Sequence, residues 1–215
     1  MTRIIITRHG QSIANENGLF AGYSDFDLTE LGKRQACSVS DYLLKNERID
    51  TIYSSDLLRA YHTATPVAKA LGISIVKDTL LREIFGGEWE GLSFTDIAER
   101  YPNELDIWNK DYAHSCPVGG ESTKHVYERV VSHICSVAAE NDGKCVLFST
   151  HATVLRAFSA YASGLSADEV GKIPFAHNSS INIFTYDNGK VSVVKTNIIE
   201  HLGGMVTSLP DIINA

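Results

Sequence analysis

The sequence has little cysteine and proline and no long hydrophobic run. Four of its 215 residues are cysteine and five are proline. No two cysteines form a C-x-x-C pair, so neither a disulfide framework nor a cysteine-based zinc site is indicated. The run Ile4-Ile5-Ile6 is too short for the core of a signal peptide, and no stretch approaches the roughly 20 apolar residues of a membrane span. We therefore expect a cytoplasmic protein with reduced cysteines and no membrane partner.

The sequence also has fewer basic than acidic residues. The chain has 19 Lys and Arg against 26 Asp and Glu, a formal net charge of −7. A protein that binds duplex nucleic acid usually needs a broad basic face, so this balance argues against a nucleic-acid partner. It does not exclude a small anionic ligand, because a pocket can be locally positive on an acidic protein. The hydrophobic content of 44% is ordinary for a globular chain.

Short β-branched runs alternate with amphipathic segments along the chain. Strands are predicted at Thr2–Thr7, Ile49–Ser54, Ile73–Lys77 and Lys144–Thr150, and a hairpin at Ser180–Tyr186 and Lys190–Asn197. Helices are predicted to follow Thr29, Asp56, Glu121 and His151, with Ser55 or Asp56 capping the second. This order predicts an α/β fold, a three-layer α/β/α sandwich with a mainly parallel central sheet. We expect residues 1–215 to form one domain, with a small cap inserted at about 80–143.

Charged and catalytic residue types follow four of the predicted strands. Arg8 and His9 come after the first strand, Arg59 after the second, Glu83 soon after the third, and His151 after the fourth. Each alone is more often structural than catalytic. Ligands of open α/β sheets bind at the carboxyl ends of the strands. We therefore expect all five side chains to converge at one edge of the sheet.

This set of residues suits phosphoryl transfer through a phosphohistidine. Two arginines can hold the phosphoryl oxygens and stabilise the transition state. A neutral imidazole is a competent nucleophile near pH 7 without a metal, and a second histidine can donate to the transferring oxygens. A protonated glutamate can protonate the leaving alkoxide. Gly10 is expected to let the backbone approach the phosphate closely.

Several motifs occur in an order that resembles one known family. They are Thr7-Arg8-His9-Gly10-Gln11-Ser12 with Asn15, Ser54-Ser55-Asp56-Leu57 with Arg59-Ala60, Leu81-Arg82-Glu83 with Trp89-Glu90-Gly91, Gly119-Gly120-Glu121-Ser122, and Thr150-His151. Together they resemble the histidine phosphatase superfamily, which is also called phosphoglycerate mutase-like.

The resemblance implies a fold, an activity and a set of site residues. It implies a sheet flanked by helices, phosphorylation of His9 as the nucleophile, and Glu83 as the proton donor. The phosphate would be bound by Arg8, Arg59 and His151, with Asn15 and the backbone amide of Ala152 as further contacts. It also implies a small phosphorylated metabolite as substrate, with no metal and no organic cofactor.

Two alternatives to a phosphatase stay open. The mutases of this family carry an extended basic insertion after the glutamate motif, whereas only Arg100 and Lys110 stand between that motif and Pro117 here. The run from Pro117 to Ser122 resembles the small bacterial phosphatases, including α-ribazole phosphatase and broad-specificity types. Hydrolysis of a small phosphomonoester is therefore favoured over mutase activity. A non-catalytic binding or regulatory module is disfavoured because all five site residues are present.

The leaving group and the oligomeric state are left open, with a homodimer as one option. Phe20, Tyr23, Trp108 and Tyr112 either line a pocket for an apolar or aromatic leaving group or simply pack in the interior. His114 lies in the expected cap and is a weaker candidate for substrate contact.

Overall fold

A mixed sheet of six strands lies at the centre of the molecule. The computed structural model describes residues 1–207. The strands are β1 (Thr2–Arg8), β2 (Thr51–Ser54), β3 (Ile75–Lys77), β4 (Cys145–Thr150), β5 (Ile181–Asp187) and β6 (Lys190–Ile198). Their order is β3-β2-β4-β1-β5-β6, and the first four run parallel while β5 and β6 are antiparallel to their neighbours. The carboxyl ends of the four parallel strands therefore meet at one edge.

Seven α-helices accompany the sheet in the described part of the chain. They are α1 (Ile13–Glu16), α2 (Glu30–Asn46), α3 (Leu58–Leu71), α4 (Phe94–Arg100), α5 (Pro102–Lys110), α6 (Thr123–Glu140) and α7 (Ala152–Ala162). Within residues 1–207, no helix is long and apolar enough to cross a membrane.

Helices cover both faces of the sheet. On one face Ile5 packs in a cluster with Leu43 of α2 and Val67 of α3. On the other face the neighbouring strand residues pack with α6 and α7, represented by Val130 and Phe158. All six residues of β4 are buried, as expected for a central parallel strand that is covered on both sides. These layers confirm the predicted α/β/α sandwich with a mainly parallel sheet.

The N-terminus of α3 is capped by a residue from a distant loop, not by a neighbouring residue as predicted. The predicted cap of α3 by Ser55 or Asp56 is wrong: Leu57 occupies that position and makes no side-chain capping bond. Instead, Asp25 accepts a hydrogen bond from the Leu58 backbone N–H at 2.7 Å, across a separation of 33 residues. A capping group that comes from a distant loop leaves no local sequence signal.

The segment expected to form a cap contains two kinds of structure. Helices α4 and α5 bury Ile97 and Trp108 in the cluster that also holds Trp89 of the preceding 3₁₀ turn. Helix α6, by contrast, packs against α7 and β1 and so belongs to the helical layer. The extent of the cap, at about 80–143, stays a prediction.

The loop that follows β1 passes very close to the first turn of α2. A Cβ atom on Gly32 would lie 2.1 Å from the Gln11 carbonyl oxygen, and one on Gly10 would lie 2.6 Å from the Gly32 carbonyl oxygen. Both obstacles are backbone atoms, so neither glycine can gain a side chain without a backbone shift. The close approach at Gly10 is thus to α2, which gives a structural reason for that glycine besides the one expected from a phosphate. This contact holds the backbone directly after His9.

We expect Gly32→Ala to lower the free energy of unfolding by about 1–3 kcal/mol, because the new methyl group overlaps backbone. Urea denaturation monitored by circular dichroism measures this change. Gly171→Ala is the matched control, since a Cβ there meets nothing within 4 Å, and it should stay within about 0.5 kcal/mol of wild type. Equal stability of the two variants would show that the contact between loop and helix is not tight.

Candidate active site

The predicted site residues converge at the carboxyl edge of the parallel strands. One pocket is lined by the side chains of Arg8, His9, Asn15, Arg59 and Glu83 and also reaches Ala152. His151 lies beside it, with its ring centroid 5.2 Å from that of His9. The structure therefore brings together all seven residues.

Strand register explains why the two histidines are neighbours. Strands β1 and β4 are parallel and pair Arg8 with Thr150, and the His9 backbone N–H donates to the Thr150 carbonyl at 2.8 Å. His9 and His151 each follow the end of their strand by one residue. Two side chains that are 142 positions apart in sequence are thus fixed side by side by backbone hydrogen bonds.

The tautomer of His9 follows from its hydrogen bond. Its Nδ1 atom lies 2.7 Å from the Gly10 carbonyl oxygen. A carbonyl only accepts, so Nδ1 carries the proton and the neutral ring has its lone pair on Nε2. Burial, reinforced by the positive charges of Arg59 and Arg8, holds the pKa of His9 well below its ordinary value of 6.5. His9 is therefore neutral at physiological pH, as a nucleophile must be.

Both arginines are buried and are held by backbone carbonyls. Arg8 is 1% exposed and donates from Nη1 to Ala176 at 2.6 Å. Arg59 is fully buried and donates from Nη1 to Ser24 at 2.9 Å and from Nη2 to Gly22 at 2.7 Å. Burial lowers the pKa of each guanidinium to about 10, which leaves both charged at pH 7. The Nε atom of each has no hydrogen-bond partner among residues 1–207.

Only one of the two ring nitrogens of His151 has a hydrogen-bond partner in the described part of the chain. Its Nε2 atom lies 2.8 Å from the Ser55 hydroxyl, whereas its buried Nδ1 atom has no partner in the described part of the chain. Burial, followed by the charge of Arg59, keeps the pKa of His151 well below its ordinary range. Sequence reasoning missed this contact of Ser55, although the Ser54-Ser55 pair stands in the motif that contains Arg59.

Glu83 occupies the N-terminus of α7. Its carboxylate oxygens accept from the backbone N–H groups of Ala152 at 3.1 Å, Thr153 at 3.2 Å and Ile84 at 2.9 Å. An acidic group at this position is favoured by the free N–H groups and by the helix dipole. The amide of Ala152, predicted as a phosphate contact, thus donates to Glu83 in this structure.

The ion pair between Arg129 and Glu121 holds the backbone of the segment that contains Glu83. Arg129 of α6 donates to the carbonyl oxygens of Glu83 at 3.0 Å, Arg82 at 2.9 Å and Leu80 at 2.7 Å. The same guanidinium pairs with Glu121 at 2.8 Å, and that carboxylate accepts from the Phe85 N–H at 3.2 Å. Arg129 was missed because it lies in the middle of a helix, away from any strand end. It positions the segment that carries the carboxylate.

Asn178 links Asn15 to the backbone of His9. Its Nδ2 atom donates to the Asn15 side-chain oxygen and to the His9 carbonyl, both at 3.1 Å. The oxygen of Asn15 is thus used by the protein, and its amide nitrogen stays available as a donor. Ser179 adopts a left-handed conformation (φ 57°), and its N–H lies 3.1 Å from the Arg8 carbonyl and 3.2 Å from that of His9.

The pocket encloses about 790 Å³, part of it open to solvent. Of the aromatic candidates, Phe20, Trp108 and Tyr112 line it. Tyr23 does not, because it packs on Phe85. His114 lies outside the pocket and pairs with acidic groups, including Asp168 at 3.2 Å. No group of three or more His, Cys, Asp or Glu side chains in residues 1–207 could hold a metal ion.

Comparison with known proteins identifies the family. A family model described as the histidine phosphatase superfamily (branch 1) matches residues 4–199. The chain belongs to this superfamily. Phosphoserine phosphatase 1 of Hydrogenobacter thermophilus is 30% identical over 203 residues, which cover 94% of this chain and 95% of that protein.

Solved structures support the same assignment. Bacillus stearothermophilus YhfR matches with a TM-score of 0.88 and 29% identity, covering 94% of this chain and 100% of that one. The α-ribazole phosphatase from Shigella flexneri matches with a TM-score of 0.82 and 25% identity, covering 91% and 96%. The family resemblance read from the motifs is confirmed, as is the phosphoglycerate mutase-like fold.

We expect His9 to titrate below the ordinary histidine pKa of 6.5, and its neutral form to carry the proton on Nδ1. The reason is that protonation would add a third buried cation beside two arginines. Nitrogen-15 NMR of the free protein reports both protonation state and tautomer, and the His9→Ala spectrum assigns the signal. His114, which is half-exposed, is the internal comparison. A His9 signal that titrates at or above 6.5 would contradict the electrostatic description of the site.

Proposed function

We propose that this protein is a metal-independent phosphomonoesterase that transfers the phosphoryl group of a small substrate to His9 and then to water. The observation that carries the proposal is a set of buried donors around His9 that the described chain leaves unsatisfied: Arg8 Nε, Arg59 Nε and His151 Nδ1. Buried donors without partners are costly. A phosphoryl group, with several acceptor oxygens and a negative charge, matches both the donors and the two guanidinium charges.

In the first step Nε2 of His9 attacks phosphorus. The bond from phosphorus to the leaving oxygen breaks, and its electron pair stays on that oxygen, which takes a proton from Glu83. Like-charge repulsion from the bound phosphate favours the protonated carboxyl group in the complex. The two arginines stabilise the charge on the equatorial oxygens. His151 donates from Nδ1 in the tautomer whose Nε2 atom accepts a hydrogen bond from the Ser55 hydroxyl.

In the second step water replaces the leaving alcohol. Glu83, now a carboxylate, takes a proton as the water oxygen attacks phosphorus, and the bond between phosphorus and Nε2 breaks. The electron pair returns to Nε2, inorganic phosphate leaves, and Glu83 is again protonated. The opening of the pocket to solvent supplies the water. No metal ion takes part in either step.

Two observations favour hydrolysis over mutase chemistry. Relatives named as phosphatases match more of the chain: phosphoserine phosphatase 1 matches 94% of it, whereas a phosphoglycerate mutase of Cytophaga hutchinsonii, also 30% identical, matches 82%. A mutase must also hold a second negative group of its substrate while the phosphoryl group returns to another oxygen. The residues that line this pocket include no cation other than Arg8 and Arg59, which the transferred phosphoryl group itself requires.

We expect His9→Ala to lower kcat for p-nitrophenyl phosphate by about three orders of magnitude or more, because no nucleophile replaces the imidazole. The assay contains excess chelator, and rapid acid-free quenching with ³²P-labelled substrate tests for the phosphoenzyme. His114→Ala, which changes a histidine outside the pocket, should retain both turnover and labelling. Wild-type rates in folded His9→Ala would remove this residue from the nucleophilic role. Inactivity of folded wild-type protein on every ester would instead support a binding module.

We expect Glu83→Gln to slow alkyl phosphates by about 10²–10⁴-fold, since an alkoxide leaves poorly without a proton. The loss for p-nitrophenyl phosphate should be much smaller, because nitrophenolate leaves without protonation. The glutamine oxygen can still accept from the Thr153 N–H, while its amide nitrogen replaces one acceptor of Glu83, so circular dichroism must first show that the variant is folded. The ratio of kcat for the two esters is the measurement. Equal losses for both esters would show that Glu83 does not act as the acid.

A further inference from the structure

The pocket continues away from His9 as a chain of aromatic rings. Its members, in order of contact, are Phe94, Phe20, Trp89, Trp108, Tyr112 and Phe175, and all six line the pocket. Neighbouring ring centroids are 5.2 to 6.3 Å apart. The rings are strongly tilted or edge-on to one another, which is the favoured geometry for aromatic pairs. The wall is therefore continuous, apolar and ordered by its own contacts.

Several of these rings keep part of their surface accessible. Trp89 and Trp108 are 1% and 8% exposed and form the back of the wall. The other four rings are only partly buried, although each already contacts a neighbour in the chain. Leu19, Ile84 and Leu105 add aliphatic surface to the same wall. Interior packing alone would bury these groups more completely, so the wall has apolar surface left for a ligand.

Beyond the phosphate end, the residues that line the wall carry no charge. Arg8 and Arg59 are the only cations among the lining residues, and they surround His9. Away from them, the polar lining side chains are those of Asn109, Thr153 and Tyr112. The nearest other cation is Arg156, which does not line the pocket: it stacks on two rings of the wall, 4.7 Å from the Tyr112 centroid and 4.1 Å from the Phe175 centroid. Its guanidinium donates to the backbone carbonyls of Gly171 and Ile173. A carboxylate on the leaving group would thus lose its water without gaining a cation, which is costly.

We propose that the preferred substrates are phosphate monoesters of apolar, ring-bearing alcohols, and that phosphorylated amino acids and hydroxy acids are disfavoured. This inference rests on the proposed phosphomonoesterase activity. It places the phosphoryl group between the arginines and the ring of the leaving alcohol against the aromatic wall. Burial of that ring supplies binding energy through the removal of apolar surface from water and through edge-to-face contacts.

The first experiment compares three primary alkyl phosphates, so that differences in leaving-group chemistry are small. The substrates are 3-phenylpropyl phosphate, O-phosphoserine and glycerol 3-phosphate, and phosphate release gives kcat/KM for each. We expect 3-phenylpropyl phosphate to exceed both others by about tenfold or more, because apolar pockets discriminate by this amount for small changes of apolar size. A kcat/KM for phosphoserine that equals or exceeds that of the phenylpropyl ester overturns the inference, while turnover itself supports the proposed activity.

The second experiment changes the charge of the wall. Leu105→Lys places an ammonium group among the lining residues and should lower the kcat/KM ratio of phenylpropyl phosphate to phosphoserine by about tenfold or more. Ile107→Lys is the matched control, because this side chain lies on the same helix, is 54% exposed and does not line the pocket. Leu105→Gln, a neutral change of similar size, serves if the lysine variant fails to fold and should lower the ratio in the same direction. An unchanged ratio in the folded Leu105 variants contradicts the assignment of the wall.

A binding measurement separates the pocket from the chemistry. Isothermal titration calorimetry compares 4-phenylbutylphosphonate with 2-amino-4-phosphonobutanoate, the non-hydrolysable counterparts of the phenylpropyl and serine esters. We expect the phenyl compound to bind about tenfold more tightly or better. If no ester is hydrolysed but this preference holds, the proposed activity fails and the assignment of the wall stands. Equal or reversed affinity overturns the assignment of the wall whether or not esters are hydrolysed.

Discussion

The burial of two guanidinium groups beside His9 is the constraint on which the rest of the site depends. A buried cation needs compensation, and here it comes from three backbone carbonyls and the nearby charge of Glu83. Those carbonyls belong to loops that must therefore stay in place. Glu90 adds to the constraint, because it accepts from the backbone of Tyr23 and the hydroxyl of Ser24. The part of the pocket around the two arginines is thus held in place by the protein's own contacts, as electrostatic catalysis requires.

Charge on this protein is arranged on two scales. The whole chain is acidic, with a formal net charge of −7. Within the site the balance is reversed, because two arginines, Arg8 and Arg59, line the pocket with a single acidic residue, Glu83. Burial, reinforced by the charge of Arg59, lowers the pKa of both histidines and keeps them neutral. An acidic exterior and a cationic recess are compatible, since fields in a low-dielectric pocket are set by its own groups.

Strand order and the ends of strands made most of this site predictable. Arg8, His9, Arg59 and His151 sit where parallel strands finish, and the alternation of strands and helices is enough to bring such positions together. The contacts made by Arg129 and Asn178 could not be predicted in the same way. Each depends on a hydrogen bond between segments far apart in sequence, and neither residue stands at a strand end. The capping of α3 by Asp25 escaped prediction for the same reason.

The aromatic wall also determines what the intrinsic fluorescence of this protein reports. The chain contains two tryptophans, and both line the pocket, with their ring centroids 5.5 Å apart. The intrinsic tryptophan emission of the protein therefore arises entirely from the wall. The intensity and wavelength of this emission report whether the pocket holds a ligand or water. Ligand binding can therefore be followed within a single turnover without an added fluorophore.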